Sequence, residues 1–164
     1  MKEKLLHYTK EILTFIVVIT ILSNIISLYK SSDLPKQKLN IETLELINNQ
    51  KFNLNTDKPI IIHFWATWCP TCKLEAGNIQ TLSEHFEVLT IAVKSGSEYD
   101  LTEYMKEHSL NYRVYNDEDS NIASKFNIAA YPTTFIYDKE GNLVFSEVGY
   151  TSTFGLWLRM WWAS

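Results

Sequence analysis

The apolar and polar positions divide the chain near residue 40. From Ile12 to Tyr29 there are 18 residues without a charge. As a helix rising 1.5 Å per residue this run reaches about 27 Å, enough for the hydrocarbon core of a bilayer. A cleaved leader would end in a small-residue pair, but the exits Ser23-Asn24-Ile25-Ile26-Ser27 and Tyr29-Lys30-Ser31 offer none, so the run reads as an uncleaved anchor. A buried core helix is the other alternative, and no second long apolar helix is present to pack against it. Lys2, Lys4 and Lys10 before the run are matched by Lys30, Lys36 and Lys38 after it, and only the amino terminus tips the balance inward. The expected organisation is a short N-terminal cytoplasmic tail (1–11), a transmembrane anchor (12–29), a polar linker containing Pro35 (30–40) and one folded domain (41–164).

Within the domain, Glu42–Leu46 and Lys51–Leu54 alternate on either side of Asn48-Asn49, which predicts a short hairpin. Ile60-Ile61-Ile62-His63-Phe64-Trp65 is a near-continuous apolar run, as a central strand covered on both faces requires. Helical spacing follows from Lys73 to Phe86, then a strand at 88–93 and a helix from Ser97 to His108. A short strand at 112–115 comes next, then a short helix through Phe126 capped by Asp119 or Ser120. Strands at 133–137 and 143–148 flank the turn Asp138-Lys139-Glu140-Gly141-Asn142. Thr151-Ser152-Thr153 caps a last helix, on which Trp157, Trp161 and Trp162 read as core packing on the sheet, with a membrane-facing belt as the alternative. Alternating strands and helices closed by an antiparallel hairpin give an α/β class, with a mixed sheet and helices on both faces.

Composition adds exclusions. The 164 residues are 46% apolar, 13% aromatic and 21% charged, which fits one globular domain with a short extension and excludes disorder and fibrous repeats. Residues 1–30 hold four Lys against two Glu, and the rest holds 11 basic against 17 acidic side chains. An acidic domain argues against nucleic acid as a partner, since phosphate contacts need clustered Lys and Arg. Asp117-Glu118-Asp119 reads as a solvated turn and helix cap rather than a metal site.

The chemistry lies in the only two cysteines, Cys69-Pro70-Thr71-Cys72, where a buried strand turns into a helix. A thiolate at Cys69 would sit at the positive end of the helix dipole beside unpaired N–H groups, which lowers its pKa and makes it a nucleophile. Cys72, one turn deeper, would resolve the mixed disulfide that Cys69 forms. Pro70 suits the first helical position because it has no N–H to lose. Other readings of the pair are half a zinc site, although His7, His63, His85 and His108 stand at no ligand spacing; a Cu(I) ligand pair in a non-catalytic copper-handling or assembly protein; and a purely structural disulfide.

The stretch Phe64-Trp65-Ala66-Thr67-Trp68-Cys69-Pro70-Thr71-Cys72-Lys73 resembles the active site of thioredoxin-fold proteins. It is most similar to the membrane-anchored TlpA/ResA/DsbE-like thiol–disulfide oxidoreductases, and among these to the suppressor-for-copper-sensitivity D (ScsD-like) type. The resemblance spans residues 40–164 and the anchor. It implies a thioredoxin-like fold with an N-terminal β-hairpin and an αβ insert near 97–115. It also implies a cis bond at Tyr131-Pro132, and a docking surface for substrate strands formed by Trp68, Tyr131, Pro132 and Thr133. Read without it, Pro132 could equally be an ordinary trans turn proline. Glu75 matches a Glu used near the dithiol in this branch, where it would tune a thiol pKa or move a proton; otherwise it is a solvated first-turn Glu. His63 stands where thioredoxins carry an acid, and is either a proton acceptor or a neutral core histidine. Gly77 replaces a helix-kinking Pro, and Gly also permits a bend. The implied protein is a single-pass protein of the cytoplasmic (inner) membrane, its domain facing the periplasm or cell exterior. It acts on protein thiols and disulfides, is re-reduced by a membrane electron donor of the DsbD type, and needs no cofactor beyond the Cys69–Cys72 disulfide and no metal.

Overall fold

The computed structural model describes residues 8, 10–15, 18, 38–39, 43–53 and 57–164. Residues 10–15 are helical and exposed. Among the described residues no helix is long and apolar enough to cross a membrane. The anchor expected over 12–29 and the linker over 30–40 fall for the most part outside the described residues.

The hairpin is present in a shorter form than its alternation predicts. Strands β1 (Leu44–Glu45) and β2 (Lys51–Phe52) pair antiparallel as a separate two-stranded sheet, and Asn49 takes the positive φ that the turn needs. The main sheet has five strands: β3 (Ile60–Trp65), β4 (Glu87–Val93), β5 (Arg113–Asp117), β6 (Thr133–Tyr137) and β7 (Leu143–Val148). Their order is β5-β4-β3-β6-β7, with β3, β4 and β5 parallel and β6 and β7 antiparallel to their neighbours. All six residues of β3 are buried, as its uninterrupted apolar run requires of a central strand.

Four helices complete the domain: α1 (Pro70–Ser83), α2 (Glu98–Glu107), α3 (Asn121–Lys125) and α4 (Thr153–Ala163). The helix–strand insert expected near 97–115 is α2 and β5, and β5 forms one sheet edge. Strand alternation divides the core into two layers. Ile61, Trp65, Val88, Ala92 and Ile136 face α1, α2 and α4, while Ile60, Ile62, Phe64, Leu89 and Phe135 face α3 and the hairpin residues Leu46 and Phe52. Helices thus cover both faces, but the second face carries only one short helix. Phe64, Phe126 and Phe135 interlock there, with ring centroids 5.2–5.9 Å apart.

Three local expectations are corrected. Helix α1 starts at Pro70, not Lys73, because Cys69 itself is the N-cap, and it ends at Ser83. Ser120 is the N-cap residue of α3, one of the two expected, but the side-chain capping comes from elsewhere. Ser120 is in the left-handed region and makes no side-chain cap bond, and the carboxylate of Asp117, at the end of β5, accepts from Ile122 N and Ala123 N at 3.1 and 2.8 Å. On α4, Leu156, Met160 and Ala163 are the buried positions, while Trp161 and Trp162 are exposed and Trp157 is half-exposed against Phe86. A helix apolar on nearly every side gives no periodic signal for which face turns inward. Ser97 and Ser152 cap α2 and α4 as expected, Ser97 in a reciprocal capping box with Asp100.

Candidate active site

The dithiol sits where β3 ends and α1 begins. Cys69 N–H donates to Ala66 O at 3.2 Å, which turns the chain out of the strand. The Cys69 residue keeps an extended conformation, and its Sγ accepts from Cys72 N–H at 3.2 Å. A side-chain sulfur thus does the N-cap work of a Ser or Asp oxygen, and it does so at the positive end of the helix dipole. The two sulfurs are at disulfide distance, with Cα atoms 5.3 Å apart. Cys69 is 5% exposed and Cys72 2%, so the outer sulfur is the one that starts the helix.

The residues grouped with the dithiol meet it unequally. Trp68 is exposed, donates its Nε1–H to Lys94 O at 3.0 Å, and stands edge-on to Tyr131 with ring centroids 5.6 Å apart. The Tyr131-Pro132 bond is cis, and the Tyr131 carbonyl oxygen lies 3.6 Å from Cys69 Sγ. Pro132 O already accepts from Gly149 N. Thr133 is buried, in register between Phe64 and Val148, and its hydroxyl donates to Ala130 O. Of the four residues expected to form a docking surface, Trp68 and Tyr131 therefore form the rim, and Pro132 and Thr133 lie beneath it.

Glu75 is not a solvated first-turn residue. It is fully buried on α1, Oε1 accepting from Thr151 N–H at 3.2 Å and Oε2 without a hydrogen-bond partner. Burial raises its pKa from 4.5 to about 8; the Thr151 bond opposes that shift and the charge of Glu147 adds to it. His63 is also buried, with Nδ1 2.9 Å from Thr134 Oγ1. Desolvation lowers its pKa to about 3, so it is a neutral imidazole near pH 7.

Register links these groups. His63 stands between Thr90 of β4 and Thr134 of β6, and Thr134 stands opposite Glu147 of β7. The row crosses four strands on the face that α1 and α4 cover, and Arg159 of α4 closes it with a 2.8 Å ion pair to Glu147. Glu147, Arg159 and Asn78 are neighbours of Glu75 and His63 in this region that sequence reasoning missed. Asn78 ties α1 to the β7–α4 loop through Thr151 O, Tyr150 Oη and Thr153 Oγ1. The available signal was Glu147, a charge at an inward position of β7. Among the described residues no group of three or more His, Cys, Asp or Glu side chains could share a metal ion.

The profile of the AhpC/TSA family matches residues 32–146. The "Thioredoxin-like protein" of Haemophilus influenzae is 29% identical over 155 residues, covering 92% of this chain and 89% of that protein. "Thiol-disulfide oxidoreductase ResA" of Bacillus subtilis is 31% identical over 107 residues, 62% of this chain and 60% of that protein. The crystal structure of a thioredoxin-family thiol:disulfide interchange protein from Chlorobium tepidum superposes with a TM-score of 0.69 at 23% identity, covering 80% of this chain and 98% of that one; at that identity the likeness concerns the fold. With the dithiol at the head of α1, these matches place the chain in the AhpC/TSA family, among its thioredoxin-like thiol–disulfide oxidoreductases.

Proposed function

We propose that the protein is a membrane-tethered, extracytoplasmic oxidoreductase that reduces disulfides in other proteins. The observation that carries the chemistry is the position of Cys69: N-cap of α1, beside an exposed Trp and a backbone carbonyl. In the reductive direction the Cys69 thiolate attacks one sulfur of the substrate disulfide. A bond forms between Cys69 Sγ and that sulfur, the substrate S–S bond breaks, and one substrate thiolate leaves. Cys72 then loses its proton and attacks Cys69 Sγ, expelling the second substrate thiolate and leaving the Cys69–Cys72 disulfide. Two electrons pass to the substrate, and its two thiolates take up two protons, one of them matching the proton lost by Cys72. Glu75, one turn from Cys72 and with a pKa near that of a thiol, is suited to pass that proton. No dissociable cofactor is needed, because the sulfurs hold the electron pair.

The reductive direction, a DsbD-type membrane donor and the inner-membrane location rest on the resemblance of residues 64–73 and on the uncharged run at 12–29. A Cys72→Ala variant is expected to accumulate mixed disulfides with protein partners in non-reducing gels, and Cys69→Ala is not; the reverse pattern overturns the assignment. In cells, a reductase keeps Cys69 and Cys72 mainly as thiols and shifts to the disulfide when its donor is deleted. A dithiol oxidised at steady state with the donor present overturns the direction.

A further inference from the structure

The outward face of α4 is apolar over its whole length. Phe154, Trp157, Leu158, Trp161 and Trp162 follow one another at helical spacing, with Trp161 70% and Trp162 74% exposed. With full aromatic side chains near 150–250 Å² each, the exposed apolar area is roughly 600 Å², the upper end of what a soluble surface carries. The helix's one charge, Arg159, is turned inward to Glu147 and over the Phe145 ring. This face is rich in Trp, the side chain that concentrates at membrane interfaces.

The fold gives the face a position. The dithiol lies at the C-terminal end of β3. Ile60, at the other end, is in register with Tyr137, so the β6–β7 turn is at the pole opposite the dithiol. Leu39 N–H donates to Gly141 O at 2.9 Å in that turn, which fixes where the polar linker enters the domain. The end of α4 reaches the same pole: Ser164 lines a pocket there with Lys58, Pro59, Phe86 and Glu87, and Trp157 packs edge-on to Phe86. Nine residues, 30–38, separate the uncharged run from Leu39. Fully extended they span no more than about 30 Å. A domain tethered so closely holds this pole beside the bilayer.

We propose that the aromatic face of α4 seats in the interface of the bilayer to which the chain is tethered. The proposal rests on the membrane-tethered reading above. Six residues of β3 at about 3.3 Å each set the dithiol about 20 Å from the tethered pole.

The test uses the full chain in phosphatidylcholine/phosphatidylglycerol vesicles, with and without brominated phosphatidylcholine as a quencher of Trp emission. Of the five Trp, Trp65 is buried and Trp68 lies at the dithiol pole, so quenching reports on α4. Brominated lipid is expected to remove about half or more of the wild-type emission, and the double variant Trp161→Gln/Trp162→Gln, altered only at exposed rings, is expected to lose most of that quenching while keeping its dithiol exchange. Carbonate washing separates the two readings. Protein that resists the wash but is not quenched overturns the seating and leaves the tether standing. Protein that washes off yet is quenched before the wash supports the seating and removes the tether, and protein that is neither retained nor quenched overturns both. Unquenched protein that self-associates, with the double variant restoring the monomer, makes the face a contact between copies and overturns the proposal.

Discussion

At the scale of single residues, Glu75 and His63 carry the unusual electrostatics, and burial is the cause in both. Glu75 titrates near 8 when folded and near 4.5 when exposed, so the folded chain keeps a proton that the unfolded chain gives up. The stability this contributes is fully present below about pH 4.5 and is lost as pH rises through about 8. Glu75→Gln retains an acceptor for Thr151 N–H and removes the titration. Urea unfolding should show the variant gaining on the wild type from pH 5 to 8, by up to a few kcal/mol, and then levelling off. Parallel curves would show that the carboxyl is ionised in the fold. The same variant should lose the inflection near pH 8 from the rate of protein-disulfide reduction. Position three after Cys72 places Glu75 one turn along the helix, but the sequence did not reveal its burial. The rotation of α1 about its axis is set by Ile79 and Leu82 entering the core, and an acid near a helix start has an equally good reason to face water.

At the scale of elements, the strands of the main sheet were legible and the caps and helix faces only in part. A run such as Ile60–Trp65 has no other economical solution than a central strand, and Asp138–Asn142 marks its turn by residue type. Asp117, read with its neighbours as part of a solvated turn and helix cap, is instead buried and caps α3 from the end of a neighbouring strand, five and six residues before the N–H groups it accepts from. Asp117→Ala orphans both donors and should cost about 1–2 kcal/mol, measured as a lower denaturant midpoint. A substitution at Asp119 should leave the midpoint nearly unchanged. Gly77 lies within the continuous helix α1, where a Cβ would meet nothing within 4 Å. Gly77→Ala should therefore stabilise the domain by about 0.5–1 kcal/mol, a rise of roughly 2–4 °C in Tm. A fall in Tm would mean that α1 needs the freedom of Gly, as a bend in place of the family's Pro would require. The aromatic stripe of α4 was legible as a stripe, but its outward orientation follows from Leu156 and Met160 being the side chains that fit against α1 and the sheet.

At the scale of the whole molecule, the two buried titrating groups set a pH profile that neither sets alone. His63 is depressed from 6.5 to about 3, so the unfolded chain takes up a proton that the folded chain refuses. Its contribution is present above about pH 6.5 and is lost as pH falls towards 3. Glu75 runs the other way, from about 4.5 up to about 8. Between about pH 4.5 and 6.5, unfolding takes up one proton at His63 and releases one at Glu75, and their combined effect on stability is flat. Above 6.5 only Glu75 acts, and below 4.5 only His63, each with a limiting slope of about 1.4 kcal/mol per pH unit. Urea unfolding of the wild type, His63→Gln and Glu75→Gln from pH 3.5 to 9 separates the two contributions by difference. The wild type should lose stability from about 4.5 to 8 relative to Glu75→Gln, and from 6.5 down to 3.5 relative to His63→Gln. The double variant should lack both slopes. If the wild type and His63→Gln instead run parallel from pH 6.5 to 3.5, the imidazole takes up its proton within the fold, and the row Thr90–His63–Thr134 would have to hold a cation between two hydroxyls.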